Sequence, residues 1–324
     1  MSELNFLAPL KNSRAFSLLK NDFGAGLGHA YMIVSADDDV VDEFFTLVAC
    51  AVFCPSHEPC MTCAECRKII NGNNGDVFHL NEKREKIKVE DLQNFLSGVN
   101  VKPVGDRKLY FIHRADLMNA QSQNKLLKTF EEPPADVTIF LGVSNEASML
   151  DTVKSRARTV YMDAFDEQTV YDVLLSLGID ASTCSVAAAC SEGQLGKALK
   201  IANSPDYAEL YRSAINLLKF LNRSTDIATL DSGVVAQKDL GAFLDVLSII
   251  LRDMLIEKSD SSLVVQKHIA NDIEALANNY SRHALTDILF AVNDARRKLS
   301  LNVNPTATVD SLLFTILEER HKWQ

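Results

Sequence analysis

Four cysteines are concentrated in one short segment of the chain. Cys54, Cys60, Cys63 and Cys66 follow the spacing Cys-x5-Cys-x2-Cys-x2-Cys. Thiolates two residues apart in a tight turn can bind one ion at about 2.3 Å, and four of them complete a closed tetrahedral zinc site. Because such a site leaves no coordination position open for water, we predict structural Zn²⁺ and no catalysis at the metal. Four unlinked thiols are the alternative interpretation.

Other residues bear on the choice of zinc ligands. His57 lies inside the cysteine segment, and Cys50 precedes Cys54 by one helical turn, so either could replace a cysteine ligand. For Cys50 we expect packing inside a helix instead. Cys184 and Cys190 lie in an alanine-rich stretch, where buried and unreactive thiols are expected.

A second pattern lies where the predicted strand 108–112 ends in His113 and Arg114. In P-loop ATPases this strand end carries acidic residues that hold magnesium and act on the attacking water. Mg²⁺ requires oxygen ligands, which neither an imidazole nor a guanidinium provides. The pattern therefore predicts the scaffold of an ATPase without its magnesium chemistry.

The loop after the first predicted strand, 29–34, is where a phosphate-binding loop would be expected. Such a loop needs glycines, a lysine and a hydroxyl residue, whereas this chain continues Ser35-Ala36 and then has three aspartates, 37–39. Each carboxylate would repel one phosphate charge by about 2 kcal/mol at about 8 Å and an effective dielectric constant of about 20. The other interpretation is a solvated loop and helix N-terminus, which the macrodipole favours. Both interpretations predict that the chain does not bind ATP.

A basic cluster precedes the last predicted strand, 159–162. Its sequence is Lys154-Ser155-Arg156-Ala157-Arg158. We expect this cluster to contain a functional residue, Arg156. In the alternative interpretation Arg156 is a surface cation beside Lys154 and Arg158, all three project on one side of an extended segment, and the cluster serves only solubility.

These candidate residues require a framework in which strands and helices alternate. A buried strand is predicted at 137–143, and helices are predicted at 13–21 and 40–53 and from Ile87 onward. A short helix is predicted through Met149 and Leu150. Parallel strands covered by helices on both faces follow, so the predicted fold class is α/β with a parallel sheet.

Beyond Met162 the pattern indicates helices only. We predict a first domain over 1–163 with the cysteine insertion at 54–66, a small helical domain over 164–204 and a third, all-helical domain over 205–324. Pro205 supports a linker near 203–206, because proline ends a helix. Apolar stripes at helical spacing mark the third domain: Leu240, Phe243, Leu244, Leu247, Ile250, Leu251, Met254 and Leu255, and later Leu312, Leu313, Ile316 and Leu317.

Composition excludes several classes of protein. The 324 residues include 47% hydrophobic and 23% charged residues, with a net charge of −10. This balance argues against nucleic-acid binding along a broad basic surface. The longest apolar run, 44–54, is shorter than the roughly 20 residues of a membrane span, and the start lacks a signal-peptide pattern. We expect a cytoplasmic protein with no membrane partner, whose thiols stay reduced.

The combined motifs resemble the delta prime family of bacterial DNA polymerase III clamp-loader subunits, within the AAA+ superfamily. The resemblance covers nearly the whole chain. It rests on four features taken together: His29-Ala30-Tyr31, the cysteine insertion, Asn124-Lys125-Leu126-Leu127-Lys128 with Glu131-Glu132-Pro133-Pro134, and Ser155-Arg156.

The resemblance implies roles for particular residues. In that family a Ser-Arg-Cys motif directs its arginine across a subunit interface toward the γ-phosphate of ATP held by a neighbour. Ser155 and Arg156 match this motif, and Ala157 stands where the family usually has Cys. Because the arginine guanidinium carries the charge that acts on the phosphate, we expect this difference to weaken the motif's function little. Asn145 has the position of the sensor-one polar residue, and Gly196 that of the sensor-two arginine of active relatives.

The resemblance also implies a RecA-like AAA+ domain, a helical lid and a helical collar, in which some apolar stripes form subunit interfaces. The implied partners are the ATPase subunits and delta in a hetero-pentamer of the DNA polymerase III holoenzyme, the sliding clamp weakly or indirectly, and primed DNA through the complex. No ATPase activity is expected from the isolated chain. The competing hypotheses are an active AAA+ ATPase, which would need the missing magnesium and phosphate ligands, a zinc-containing nucleic-acid-binding module, and an AAA+ scaffold outside the replisome.

Overall fold

The computed structural model describes residues 4–56, 58–204, 207–227, 240–259, 264, 270–301 and 303–322. The chain divides into two compact units: the first contains Met1–Val173 and Gln194–Lys197, and the second Leu174–Gly193 and Ala198–Gln324. Among the described residues, no helix combines the length and the apolar character that crossing a lipid bilayer requires.

A parallel sheet forms the centre of the first unit. Its strands are β1 (Ala30–Val34), β2 (Val77–Leu80), β3 (Lys108–Ile112), β4 (Val137–Val143) and β5 (Arg158–Tyr161). They lie in the order β2-β3-β4-β1-β5, and every neighbouring pair is parallel. All residues of β3 and β4 are buried, as expected for strands covered on both faces. The predicted α/β fold class with a parallel sheet is confirmed.

Strand register places the candidate residues along one edge of this sheet. Val34 of β1 pairs with Val143 of β4 and Tyr161 of β5, and Ile112 of β3 pairs with Leu141 of β4. The loops that follow β1, β3 and β4 therefore leave the sheet side by side. Carboxyl edges of parallel sheets are where ligands bind in folds of this type.

Several helices of the first unit begin at a capping side chain. Ser13 accepts a hydrogen bond from the Phe16 N–H and begins the second helix. The helices of the first unit are α1 (Leu7–Asn12), α2 (Arg14–Ala25), α3 (Asp38–Phe53), α4 (Ala64–Ile70), α5 (Val89–Leu96), α6 (Ala120–Glu131) and α7 (Asp151–Lys154). Three more helices follow along the chain at Glu167–Ser176, Ala181–Cys190 and Leu195–Ala202. Short 3₁₀ turns lie at Ala115–Leu117 and Glu146–Ser148.

Two local predictions need correction. The predicted helix through Met149 and Leu150 is wrong, because both residues have extended backbone between the turn Glu146–Ser148 and α7. Strand β2 was not predicted: it has only four residues, all of them partly exposed, and so presents neither a buried apolar run nor a clear alternation.

The second unit contains helices only in its described residues. Beyond Ala202 these are Tyr207–Phe220, Leu240–Glu257, Ala270–Ala277, Arg282–Ser300 and Pro305–Lys322. The predicted helical C-terminal part is thereby confirmed. Most stripe residues are buried in this unit: Phe243, Leu244, Leu247, Ile250, Leu251, Met254, Leu312, Leu313, Ile316 and Leu317. These positions therefore form its core. The predicted linker residues Pro205 and Asp206 lie outside the described residues.

Candidate functional site

The four predicted ligand cysteines converge on one point. Their sulfur atoms all lie within 4.8 Å of one another. The Cys54 sulfur is 3.6 Å from that of Cys60 and 3.9 Å from that of Cys63, and the Cys60 and Cys66 sulfurs are 4.0 Å apart. A zinc ion about 2.3 Å from four sulfurs separates them by about 3.8 Å, so the cluster has the dimensions of a tetrahedral thiolate site. These four residues could hold one metal ion.

Helix ends position the cysteine cluster. Cys54 is the C-cap of α3, and Cys63 is the N-cap of α4, where its sulfur accepts a hydrogen bond from the Cys66 N–H at 3.4 Å. The Cys63 N–H donates in turn to the Cys60 sulfur at 3.4 Å. Hydrogen bonds from backbone N–H groups, first that of Thr62, lower the pKa of Cys60 to about 5. Burial raises the pKa of Cys66.

Neighbouring candidate ligands have different surroundings. Cys50 is fully buried in α3, and its sulfur lies 3.9 Å from the Cys66 carbonyl oxygen. Burial raises the pKa of Cys50 to about 12, which keeps it a thiol. His57 lies outside the described residues. Cys184 and Cys190 are buried in the helix Ala181–Cys190.

The first aspartate after β1 is bound by two backbone N–H groups. Asp37 is buried and caps α3, accepting a hydrogen bond from the Val40 N–H at 3.4 Å. Its other carboxylate oxygen accepts from the Gly196 N–H at 2.8 Å. An ideal Cβ placed on Gly196 would lie 2.5 Å from Asp37 Oδ1 and 2.7 Å from the Cβ of Asp39. Only glycine fits at this position without displacing its neighbours.

The second and third aspartates form ion pairs. Asp38 accepts from Arg114 Nη1 at 2.9 Å and from the Ser144 hydroxyl, while Asp39 accepts from Arg84 Nη2 at 2.5 Å. Their side chains are only 21% and 29% exposed. The interpretation of this run as a solvated loop is therefore wrong, although its place at a helix N-terminus is as predicted. Repulsion by unpaired carboxylates is equally wrong, because two arginines offset their charges.

Both arginines have left-handed backbone conformations. Arg84 has φ 57° and Arg114 has φ 51°. Arg114 also binds Asp116 at 3.0 Å, and Arg84 also binds Asp42 at 2.6 Å. Each guanidinium is thus held between two carboxylates. A non-glycine residue at positive φ carries a conformational cost, which these paired contacts offset.

The predicted His113 lies at the end of β3, at the strand position discussed above for magnesium ligands. It is 4% exposed, its Nδ1 is 2.5 Å from Asp42 Oδ1, and its Nε2 is 3.0 Å from His79 Nδ1. Burial, reinforced by the neighbouring imidazole, lowers the pKa of His79 to about 4. The place of a metal-binding carboxylate is occupied by an imidazole that is fully engaged inside the chain.

Sequence reasoning missed several residues of this network, among them Asp42, Arg84 and His79. Asp42 could have been found, because it lies one helical turn after Asp38 and so on the same face of α3. Arg84 and His79 carried no comparable signal, since both meet α3 only through tertiary folding.

Arg156 is partly exposed on the first unit. Ser155 is the C-cap of α7, and Arg156 lies in the turn before β5 with 37% of its side chain exposed. Its Nη1 donates to the Thr152 carbonyl at 3.2 Å, and its Nη2 donates to Glu131 Oε1 at 3.0 Å. The guanidinium therefore lies across the ends of α6 and α7.

The basic residues on either side of Arg156 differ from it in position. Lys154 is in α7 and pairs with Asp151 at 2.7 Å, whereas Arg158 is in β5 and pairs with Asp22. The arrangement in the alternative interpretation, with the three cations projecting from one extended segment, is wrong, because a helix, a turn and a strand follow one another over these five residues.

Asn145, the predicted sensor-one residue, follows β4 at the same edge. Its side chain accepts a hydrogen bond from the Ala147 N–H at 3.1 Å and begins the turn Glu146–Ser148. This is a capping role within the fold.

Comparisons with known proteins find similar sequences over most of the chain. The family model described as DNA polymerase III, delta subunit, matches residues 11–166. DNA polymerase III subunit delta' of Bacillus subtilis (strain 168) is 26% identical and covers 98% of each chain. Subunit delta' of Escherichia coli (strain K12) is 26% identical over 93% of this chain and 92% of its own.

Solved structures also match most of the chain. A gamma subunit-related protein of DNA polymerase III from Thermotoga maritima covers 95% of this chain and 100% of its own, with 19% identity and a TM-score of 0.47. The Bacillus subtilis DNA clamp loader delta protein covers 94% of this chain and 99% of its own, with 10% identity and a TM-score of 0.33. The family model thus matches the sheet-forming residues, and over nearly its whole length the chain is similar to two delta' subunits of DNA polymerase III.

Proposed function

We propose that this chain is a clamp-loader subunit that lacks its own ATP site and provides Arg156 as an arginine finger, with Ser155, to the ATPase subunit beside it. It acts while the complex loads a sliding clamp onto primed DNA. The observation that carries the proposal is the partly exposed guanidinium at the turn between α7 and β5. The guanidinium of an arginine finger must extend beyond its own subunit, and a partly exposed position at the surface of the first unit allows this.

Charge explains how such a residue would act. During phosphoryl transfer, negative charge is spread over the oxygens of the γ-phosphate, and a guanidinium stabilises it with hydrogen bonds from a permanent cation. In related systems the contribution is about 10³ to 10⁵ in rate. One residue of this chain could therefore determine whether the neighbouring site turns over.

The absence of an ATP site is supported by how the edge after β1 is filled. Asp37 accepts the N–H groups of Val40 and Gly196, which are of the kind that would bind phosphate. Arg84 and Arg114 bind carboxylates of the same chain. A triphosphate would have to displace this network before it could bind.

We also propose that the cysteine cluster holds structural Zn²⁺. Sulfur separations of 3.6–4.0 Å support it, and four thiolates would satisfy the ion fully. When bound, the ion would link the end of α3 to the start of α4 and so stabilise the insertion. It would supply no reaction chemistry, because no coordination position remains for a substrate.

The assembly is proposed from the family. The partners are the ATPase subunits and delta in a hetero-pentamer, with the clamp contacted weakly or indirectly and primed DNA reached through the complex. The division into a sheet domain (1–163), a lid (164–204) and a collar (205–324) stays part of this proposal.

The test is the Arg156→Ala variant, reconstituted with the ATPase subunits, delta, clamp and primed DNA. We expect normal assembly in size-exclusion chromatography, together with loss of ATP turnover at the one site that this chain serves. Arg158→Ala is the matched control, because it removes the same type of side chain two residues away. Unchanged turnover of the Arg156→Ala complex would exclude the finger role.

A further inference from the structure

The guanidinium of Arg156 uses both of its terminal nitrogens inside its own chain. Nη1 binds the Thr152 carbonyl oxygen at 3.2 Å, and Nη2 binds Glu131 Oε1 at 3.0 Å. These two nitrogens form the fork through which arginine binds two phosphate oxygens at once. Each of these nitrogens carries a second hydrogen, so a phosphate on another subunit would compete with the two internal acceptors for the same guanidinium.

Glu131 lies in a place that attracts a cation. It is the last residue of α6, and Glu132 is the C-cap of the same helix. The last carbonyl groups of a helix carry partial negative charge, so two carboxylates there are unfavourable unless a cation offsets them. The Arg156 guanidinium lies at 3.0 Å from one of them.

From this geometry we infer that Glu131 is a positioning residue that retains the Arg156 guanidinium within this chain until the neighbour's nucleotide competes for it. The inference rests on the proposed finger role. It adds a second residue to that reaction, at the end of α6, whose carboxylate competes with the γ-phosphate for the Arg156 guanidinium.

The solvent exposure of the Arg156–Glu131 ion pair limits how strongly Glu131 can retain the guanidinium. The side chains of Arg156 and Glu131 are 37% and 54% exposed. Ion pairs exposed to this extent are weak, so opening one changes an equilibrium by about two- to five-fold. A triphosphate carries several negative charges and can displace a single carboxylate, which makes the internal contact reversible.

The experiment compares Glu131→Gln with the unsubstituted chain in the complete clamp loader. ATP hydrolysis is measured against ATP concentration in the absence of clamp and DNA, when retention of the finger matters most. We expect kcat/KM for ATP to rise by about two- to five-fold. Glu132→Gln is the matched control: it removes one negative charge from the same helix end but leaves the pair intact, and we expect no change.

Two further measurements separate a finger contact from a general structural effect. In an Arg156→Ala background, Glu131→Gln should add nothing, because the group that it retains is gone. The difference between Glu131→Gln and the unsubstituted chain should also shrink as salt rises from about 0.05 to 0.5 M, since exposed ion pairs are screened.

The outcomes are distinguishable. If Arg156→Ala lowers turnover but Glu131→Gln leaves kcat/KM unchanged or lowers it, retention by Glu131 is wrong and the finger remains. An equal rise in Glu132→Gln, or an effect of Glu131→Gln that persists without Arg156, would also overturn the inference. If Arg156→Ala has no effect, the proposed function itself fails.

Discussion

The backbone N–H of Gly196 donates a hydrogen bond of 2.8 Å to the carboxylate of Asp37, 159 residues earlier in the chain. Asp37 also caps α3, and Gly196 is the second residue of the helix Leu195–Ala202. One carboxylate therefore accepts hydrogen bonds from N–H groups in the first turns of two helices, where anions generally bind. The anion at this position belongs to the protein itself.

Gly196→Ala should destabilise the protein. The added methyl group would lie 2.5 Å from Asp37 Oδ1 and 2.7 Å from the Asp39 Cβ, closer than real Cβ contacts allow. Overpacking of this kind costs about 1–3 kcal/mol, against at most about 1 kcal/mol gained from helix propensity. We expect a net loss of about 1–2 kcal/mol in urea unfolding. Gly75→Ala is the control, because its methyl group would meet nothing within 4 Å; equal stability of the two variants would show that the close approach has no energetic consequence.

The cysteine cluster should retain one zinc ion per chain in elemental analysis. Cys60→Ser should lose the ion, because an alcohol replaces one of four thiolates at the most exposed ligand position. A loss of about 2 kcal/mol would lower the melting temperature by about 3 °C in a chain of this size. Cys50→Ala should keep the ion, since Cys50 lies outside the cluster. Metal-free native protein, or loss of zinc in Cys50→Ala, would contradict the four-cysteine site.

Acid should destabilise the fold through His79. The pKa of His79 is about 4 in the folded chain, against about 6.5 when unfolded. Between these values the unfolded state binds more protons, so stability falls as pH decreases from 6.5 toward 4. The expected loss between about pH 7 and pH 5 is about 2 kcal/mol. Urea unfolding of His79→Gln should lack this part of the slope, while His29→Gln, which changes an exposed imidazole, should retain it; identical slopes in all three proteins would refute the assignment.

Isothermal titration of the isolated chain with Mg-ATP should give no binding heat. The physical reason is that the N–H groups at the first turn of α3 and at Gly196 already have an internal acceptor, and that the nearby Arg84 and Arg114 are each held by two carboxylates. An ATPase subunit of the same complex, titrated in parallel, provides the positive control. Micromolar affinity in the isolated chain would mean that the network opens readily.

Structural features that depend only on residues close together in the sequence could be predicted from local patterns. The spacing of Cys54 to Cys66 predicted the sulfur cluster, because four ligands within thirteen residues can meet without help from the rest of the fold. The apolar run of β4 predicted a buried central strand with its exact bounds. Asp37 was predicted at a helix N-terminus, and it caps α3.

Contacts between distant segments could not be predicted in the same way. The partners of Asp38 and Asp39 lie 76 and 45 residues away, on Arg114 and Arg84. A solvated run of aspartates and a partly buried ion-pair network have the same local sequence, so only tertiary folding distinguishes them. The same holds for Arg156, whose partner Glu131 lies 25 residues earlier on another helix.

Helix α3 connects the two ends of this arrangement. It spans sixteen residues, about 24 Å at a rise of about 1.5 Å per residue, with the aspartates in its first turn and Cys54 at its last. A helix that is held at both ends is restrained from sliding along its axis and from rotating about it. A metal ion at the cysteines would therefore help to fix the position of the first turn above the strands, although the thiols lie at the opposite end of the helix.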